Sequence, residues 1–320
     1  MILRSLKTFI KLFFAAAISI GLFFLVYGKE VPGQIKSIML EASLLWTALM
    51  IGMLIPILSL AAFRWHRIVR HEYRQPFLYD LNLYLSSKAF SVILPLKLGD
   101  FSRSYFLKKD KVADIDRTVA LTIFERILDI LALCVFLILG VLVSRDLKPV
   151  QIILTLTTVA TIAVITIAAF AGYNGKFFYK KSRVPFIDGI FKALRTAMTL
   201  PKRVSIRLFQ EVMIYSILLW TLHIGQFSIL FNIFKTSISI QDAVSFIPFI
   251  FIAGMLPFTI GGVGSRDAAL VYFFSDTVSL PVLASVGIVA FLRILLPTIV
   301  GVVAIVFFRS HPKLQKEIKG

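Results

Sequence analysis

Leu256-Pro257-Phe258-Thr259-Ile260-Gly261-Gly262-Val263-Gly264-Ser265-Arg266-Asp267 interrupts the apolar segment 244–276 near its middle. Proline removes a helix hydrogen bond and crowds the preceding turn, and clustered glycines favour a turn over a continued helix. The stretch has an echo. Leu94-Pro95-Leu96-Lys97-Leu98-Gly99, followed by Asp100 and Ser102-Arg103, breaks the apolar segment 77–107. Both read Leu-Pro-x-x-(Leu/Ile)-Gly with a Ser-Arg pair shortly after, and their prolines stand 162 residues apart in a chain of 320. A single straight span needs about 20 apolar residues. Each segment is longer than that and carries its breakers at the centre. The reading is two re-entrant helical hairpins, each entering the bilayer, turning and leaving on its own side.

The surroundings are those of a membrane protein. Hydrophobic residues make up 58% of the chain and charged residues 16%, against roughly half and a quarter in soluble domains. Apolar runs of spanning length lie at about 8–28, 41–63, 118–144, 150–172, 208–234 and 281–308. The expected fold is therefore an all-α polytopic membrane protein forming one integral membrane domain, 1–320, with six spans and two hairpins. The one cysteine, Cys134, excludes an internal disulfide, and the four histidines lack metal-site spacing. No metal or nucleotide cofactor is expected, and no Walker-type phosphate loop is present. Nucleic acid is an unsuited partner, because the basic residues punctuate apolar runs instead of forming one soluble face.

Charge sets the topology. With 77–107 as a hairpin, the loops 1–11, 64–74, 97–117, 173–207 and 309–320 share one side and hold 26 Lys and Arg. The opposite loops hold five, Lys29, Lys36, Arg145, Lys148 and Lys235, matched by five acids. The positive-inside rule then puts both termini in the cytoplasm, the expected location being the inner membrane of a prokaryote. The same count makes hairpin 77–107 open to the cytoplasm and hairpin 244–276 to the outside. Opposed broken helices of this kind form an inverted repeat around a midplane substrate site. The basic loop 173–207 reads either as an amphipathic helix on anionic lipid or as an ordinary connector.

A few charges fall within apolar sequence. Helix starts after the two breaks offer free N–H groups and a dipole that suit an anion. Gly261, Gly262 and Gly264 admit close backbone approach, and Arg103 and Arg266 can fork a phosphate; alternatively the glycines only permit tight packing. Glu125 and Asp129 are four apart on one helix face, with Arg126 three before Asp129. At about 10 Å into the span, the carboxylates face either an interior cavity or an internal salt bridge. Arg293 lies about 18 Å into its own span. It requires an acid, with Asp100, Asp267 and Glu125 as candidates, or an anionic substrate.

Three motifs carry a resemblance: Leu-Pro-x-x-x-Gly-Asp-x-Ser-Arg at 94–103, Glu-Arg-x-x-Asp at 125–129 and Gly-Gly-x-Gly-x-Arg-Asp-Ala-Ala-Leu at 261–270. Together they resemble the flippase-like membrane region of bacterial lysylphosphatidylglycerol synthases, which also occurs as stand-alone membrane proteins, and the likeness runs over nearly the whole chain. The resemblance implies movement of an anionic or aminoacylated phospholipid, or a polyprenyl-phosphate-type lipid, between leaflets. It points to Asp100, Ser102, Arg103, Gly261, Gly262, Gly264, Arg266, Asp267 and Arg293 as headgroup-binding residues. Glu125, Arg126 and Asp129 are coupling or structural charges. Family members usually carry Glu where Asp100 and Asp267 stand, a change that keeps the charge and shortens its reach. The given chain runs 12 residues past the last predicted span, so aminoacyl transfer is not expected. The leading expectation is a transporter of lipid headgroups, without enzyme activity. The alternatives are a membrane-embedded enzyme of envelope lipids, or a non-transporting partner of envelope-lipid biosynthetic enzymes.

Overall fold

The computed structural model describes residues 21–22, 24–27, 31–70, 72–90, 99–144, 149–172, 205–255 and 262–309, with backbone alone at Pro32, 161–172 and 308–309. Every regular element among them is helical. Four segments are long and apolar enough to cross a membrane: Leu44–Arg70, Ile115–Val143, Ile206–Ile233 and Leu280–Phe307. After the short helix α1 (Val31–Leu40), the first of them divides into α2 (Leu44–Gly52) and α3 (Leu54–Arg70). The offset at Met53 follows from Pro56, whose ring crowds the Gly52 carbonyl and which has no N–H to give it. α3 continues to Arg70, seven residues past the predicted end at 63. Arg64, Arg67 and Arg70, expected in a loop, are thus helical.

The other long helices are α6 (Ile115–Val143), α7 (Pro149–Gly172), α8 (Ile206–Ile233) and α11 (Leu280–Ala304), the last running on into a π-helical turn, Ile305–Arg309. Their bounds fall within a few residues of the predicted spans 118–144, 150–172, 208–234 and 281–308. Of the predicted span 8–28, residues 21–22 and 24–27 are helical. Its remaining residues, the proline-bearing stretches 91–98 and 256–261, and nearly all of the segment 173–207 lie outside the described residues.

The two broken segments each supply a pair of short helices: α4 (Phe77–Lys88) with α5 (Ser102–Lys109), and α9 (Ile240–Gly254) with α10 (Ser265–Phe274). Both pairs are antiparallel. In the first, Tyr79 at the start of α4 donates to Asp110 just past α5 at 2.5 Å, while Lys88 at the end of α4 meets Asp100 just before α5 at 2.7 Å. In the second, Phe246 stacks on Phe273 with centroids 5.1 Å apart. A Cβ on Gly262 would lie 2.8 Å from the Gly254 Cα, so the far ends of this pair also meet.

The pairs enter from opposite ends of the bundle. α3 and α8 are antiparallel, since Arg67 reaches Glu211 at 2.7 Å at one end and Ser43 N–H donates to the Ile233 carbonyl at 2.9 Å at the other. α4 follows the end of α3, and α9 follows the end of α8. Each pair has its own core. Trp65, Leu83, Tyr84, Leu107, Leu121 and Leu128 pack around the first, and Phe227, Phe231, Phe246, Ile250, Phe273 and Leu283 around the second. α6 runs through both, giving Ala120–Leu128 to one and Ala132–Leu137 to the other.

The packing is crossed. α5 rests on α6 and α10 on α11, but α4 rests on α11 and α9 on α6. The two crossed contacts share a device. A Cβ at Gly140 of α6 would lie 2.9 Å from the Ser245 Cα of α9, and one at Gly301 of α11 would lie 2.2 Å from the Ala89 N beyond α4. Ser245 Oγ donates to the Gly140 carbonyl at 3.0 Å, closing the first contact.

Candidate functional site

α3, α4, α5 and α6 bring four cations and three carboxylates into one buried cluster: Arg64, Lys88, Arg103 and Arg126 with Asp100, Glu125 and Asp129. Glu125 and Asp129 do share a face of α6, and it is turned inward. Arg64 spans that face, Nη2 donating to Glu125 Oε1 at 2.8 Å and Nη1 to Asp129 Oδ1 at 2.6 Å, with Ser216 Oγ of α8 at 2.8 Å. The other Glu125 oxygen accepts from Arg103 Nη2 at 2.6 Å. The expected local pair is present, Arg126 Nη1 lying 3.0 Å from Asp129 Oδ2.

Arg103 is fully buried. Its Nε donates to the Asp100 carbonyl at 3.0 Å and its guanidinium lies 3.9 Å from the centroid of the Trp65 ring. Among the described residues its Nη1 has no hydrogen-bond partner, nor do Ser102 Oγ, Ser104 Oγ and Asp80 Oδ1. Asp100 sits in the turn ahead of α5, between Lys88 at 2.7 Å and Arg126 at 3.3 Å. Lys88 and Arg126 are the cations of the cluster that keep partial exposure, 14% and 20% of their side chains. They mark its open side. Beside the cluster, His66 Nδ1 and Asp80 Oδ2 lie 2.6 Å apart, joining α3 to α4.

The second hairpin carries a sparser site. Gly262 and Gly264 adopt positive φ, 75° and 92°, which lets the chain turn sharply into α10. The start of that helix is already occupied: Asp267 Oδ2 accepts the Gly264 N–H at 2.9 Å, and the N–H groups of Arg266 and Ala268 donate to Gly262 and Gly264 carbonyls at 2.8 Å. These groups are not free for an anion, contrary to the expectation of an open helix start. Arg266 Nη2 donates to Asp267 Oδ1 at 3.0 Å and to the Gly287 carbonyl of α11 at 2.7 Å. Gly287 is where Asp267 and Tyr27 converge, at 2.7 and 3.1 Å from the position of a Cβ there. Gly261 falls outside the described residues.

Arg293 joins neither group. It is bonded to Gln226 Oε1 at 2.8 Å, to the His223 carbonyl at 3.3 Å and to His223 Nδ1 at 3.2 Å. Phe227 and Phe251 present their rings 5.4 and 5.1 Å from its guanidinium carbon. None of Asp100, Asp267 and Glu125 is its partner: each is paired within its own cluster. Among the described residues, no hydrogen bond or ion pair links the Arg103 cluster to the Arg266 group.

Sequence reasoning singled out Asp100, Ser102, Arg103, Glu125, Arg126, Asp129, Arg266, Asp267 and Arg293, but missed Arg64, Lys88, Tyr27, His223 and Gln226 as their partners. No group of metal-ligating side chains occurs among the described residues. In comparisons with known proteins, the family model described as the lysylphosphatidylglycerol synthase TM region matches residues 12–301. No curated protein and no solved structure matches.

Proposed function

The chain belongs to the lysylphosphatidylglycerol synthase TM-region family, membrane proteins of lipid metabolism or transport, and from that premise we propose that it carries an anionic lipid headgroup between the leaflets of a membrane. One observation supports this most strongly. Two antiparallel helix pairs enter from opposite ends, and the return helix of each begins with a Ser-Arg whose guanidinium is turned into the interior. The crossed packing, with α4 on α11 and α9 on α6, supports reading α3–α6 and α8–α11 as an inverted repeat, and the helix pairs as re-entrant hairpins. Such an arrangement opens to one side at a time when one half rocks against the other. The headgroup engages the Arg103 cluster from one leaflet and the Arg266 site from the other.

Charge supports an anion. The first cluster holds one more cation than carboxylate, and Arg103 Nη1 is available within it. The Lys88–Arg126 side of the cluster admits the headgroup while the tails stay in the bilayer. The step makes and breaks no covalent bond. The membrane is the cytoplasmic one, with both termini inside, by the distribution of Lys and Arg.

The test is transport of a fluorescent phosphatidylglycerol in proteoliposomes. Arg103→Lys and Arg266→Lys keep the charge and lose the planar fork, so each should slow translocation about tenfold. Variants that are folded and as fast as the parent would refute the reading, as would a change in the mass of the recovered lipid.

A further inference from the structure

Arg293 stands midway along Leu280–Phe307, about 20 Å from either end at 1.5 Å per residue. Among the described residues all its partners are neutral: an amide oxygen, a backbone carbonyl, an imidazole nitrogen and two aromatic rings. Its Nη1 makes no hydrogen bond to any described residue. The neighbouring cation, Arg266, is already matched by Asp267. Neutral acceptors orient a guanidinium but do not cancel its charge, and an uncancelled charge at membrane depth is the kind that recruits an anion from outside the chain.

The holders are themselves fixed. Gln226 Nε2 donates to the Met50 carbonyl at 2.9 Å, which leaves Oε1 facing Arg293. Arginine only donates, so His223 Nδ1 accepts and the imidazole is neutral with its proton on Nε2. Trp220 and Phe251 pack at 5.4 and 6.3 Å from the His223 ring. The result is one unit of positive charge, held rigidly on an aromatic wall and reachable, since Arg293 is only part-buried.

We propose that Arg293, positioned by Gln226 and His223, binds the phosphate of a lipid phosphodiester headgroup inside the bundle, beside the second hairpin, whose Phe251 ring packs on it. This rests on the transport reading in taking the occupant to be a lipid. Charge selects the phosphodiester: it carries one negative charge, whereas a phosphomonoester carries about 1.5 to 2 near neutral pH and would leave an excess no other cation at this position matches. Arg293 is then a further point at which the phosphate stays paired, apart from the Arg103 and Arg266 guanidinium groups.

The test titrates phosphatidylglycerol into the full-length protein in maltoside micelles and follows Tm. The parent should gain a saturable rise. Arg293→Gln should bind about tenfold or more weakly. Gln226→Glu keeps the arginine but supplies a carboxylate inside the chain; it should abolish the lipid-dependent rise, whatever its own effect on Tm without lipid. Phosphatidic acid should bind more weakly than phosphatidylglycerol, and inorganic phosphate should give no rise. Tighter binding of phosphatidic acid would overturn the phosphodiester assignment, and an equal rise with inorganic phosphate would overturn the lipid. If both variants keep the full rise, the Arg293 site is wrong, while slowed transport in Arg103→Lys and Arg266→Lys would leave the transport reading standing. If the parent neither gains Tm nor moves phosphatidylglycerol, both fall.

Discussion

Arg103 and Glu125 meet at 2.6 Å with neither side chain exposed to solvent. Because the second Glu125 oxygen takes Arg64, one carboxylate ties α3, α5 and α6 together. A buried pair gains little over apolar packing, but breaking one leaves an uncompensated charge and costs about 3–5 kcal/mol. Glu125→Gln strands Arg103 and leaves Arg64 with Asp129 and Ser216, and should lower Tm in micelles by a corresponding amount. Pairing it with Arg103→Met should recover part of the loss, the coupling expected of residues in contact. A Glu125→Gln protein as stable as the parent would show that this carboxylate binds nothing together.

Arg64 and Arg67 stand three apart on α3 and should behave differently. Arg64 is buried against two carboxylates, and Arg64→Ala should cost about 3–5 kcal/mol. Arg67 pairs with Glu211 where both side chains are about a third exposed, 35% and 30%, and Arg67→Ala should cost about 0–1 kcal/mol. Thermal unfolding of the two variants side by side checks the order, and a reversal would contradict the buried position of Arg64.

The crossed contacts predict a graded set of glycine effects. Gly301→Ala places a methyl 2.2 Å from the Ala89 N and 2.7 Å from the Leu85 carbonyl, both backbone, so the helices must part. The expected loss is at the upper end of overpacking, about 3 kcal/mol. Gly140→Ala, with its nearest backbone at 2.9 Å, should lose less. Gly52→Ala meets nothing within 4 Å and should be neutral or stabilising by up to about 1 kcal/mol, as for other helical glycines. Unfolding midpoints in one detergent would rank the three.

Lys111, past α5, and Asp276, past α10, are exposed at the mouths of the two helix pairs. A membrane-impermeant maleimide on intact cells should label Asp276→Cys and should reach Lys111→Cys only after the membrane is opened. The buried native Cys134 should stay silent in both. Labelling of both cysteines from the same side would remove the opposed insertion on which alternating opening depends.

Much of this architecture is legible in one dimension. Pro95 and Pro257 with their glycines mark the two breaks, and the four-residue spacing of Glu125 and Asp129 puts both carboxylates on one face of α6. Their partners are not legible in the same way. Arg64 follows an apolar run and precedes Arg67 and Arg70, so it reads as the first charge of a loop; only the extension of α3 to Arg70 turns it inward. Gln226 and His223 lie 67 and 70 residues from Arg293 and meet it only because α8 and α11 pack side by side. Asp267 gains a bond that its position in the sequence does not show. Its place next to Arg266 suggests a ligand group, yet the tight turn at Gly262 and Gly264 brings the backbone N–H to its own carboxylate first.

The crossed packing has a consequence for the half-molecule. α4 lies against Gly301 of α11 and α9 against Gly140 of α6, so one face of each helix pair is covered by the other half. Residues 44–144 alone would expose the α4 surface around Leu85 and Ala89 together with the α6 groove at Gly140. In the full chain the first meets Gly301 of α11 and the second meets Ser245 of α9. Both faces are shaped to helices of the second half, so the fragment needs that half to bury them.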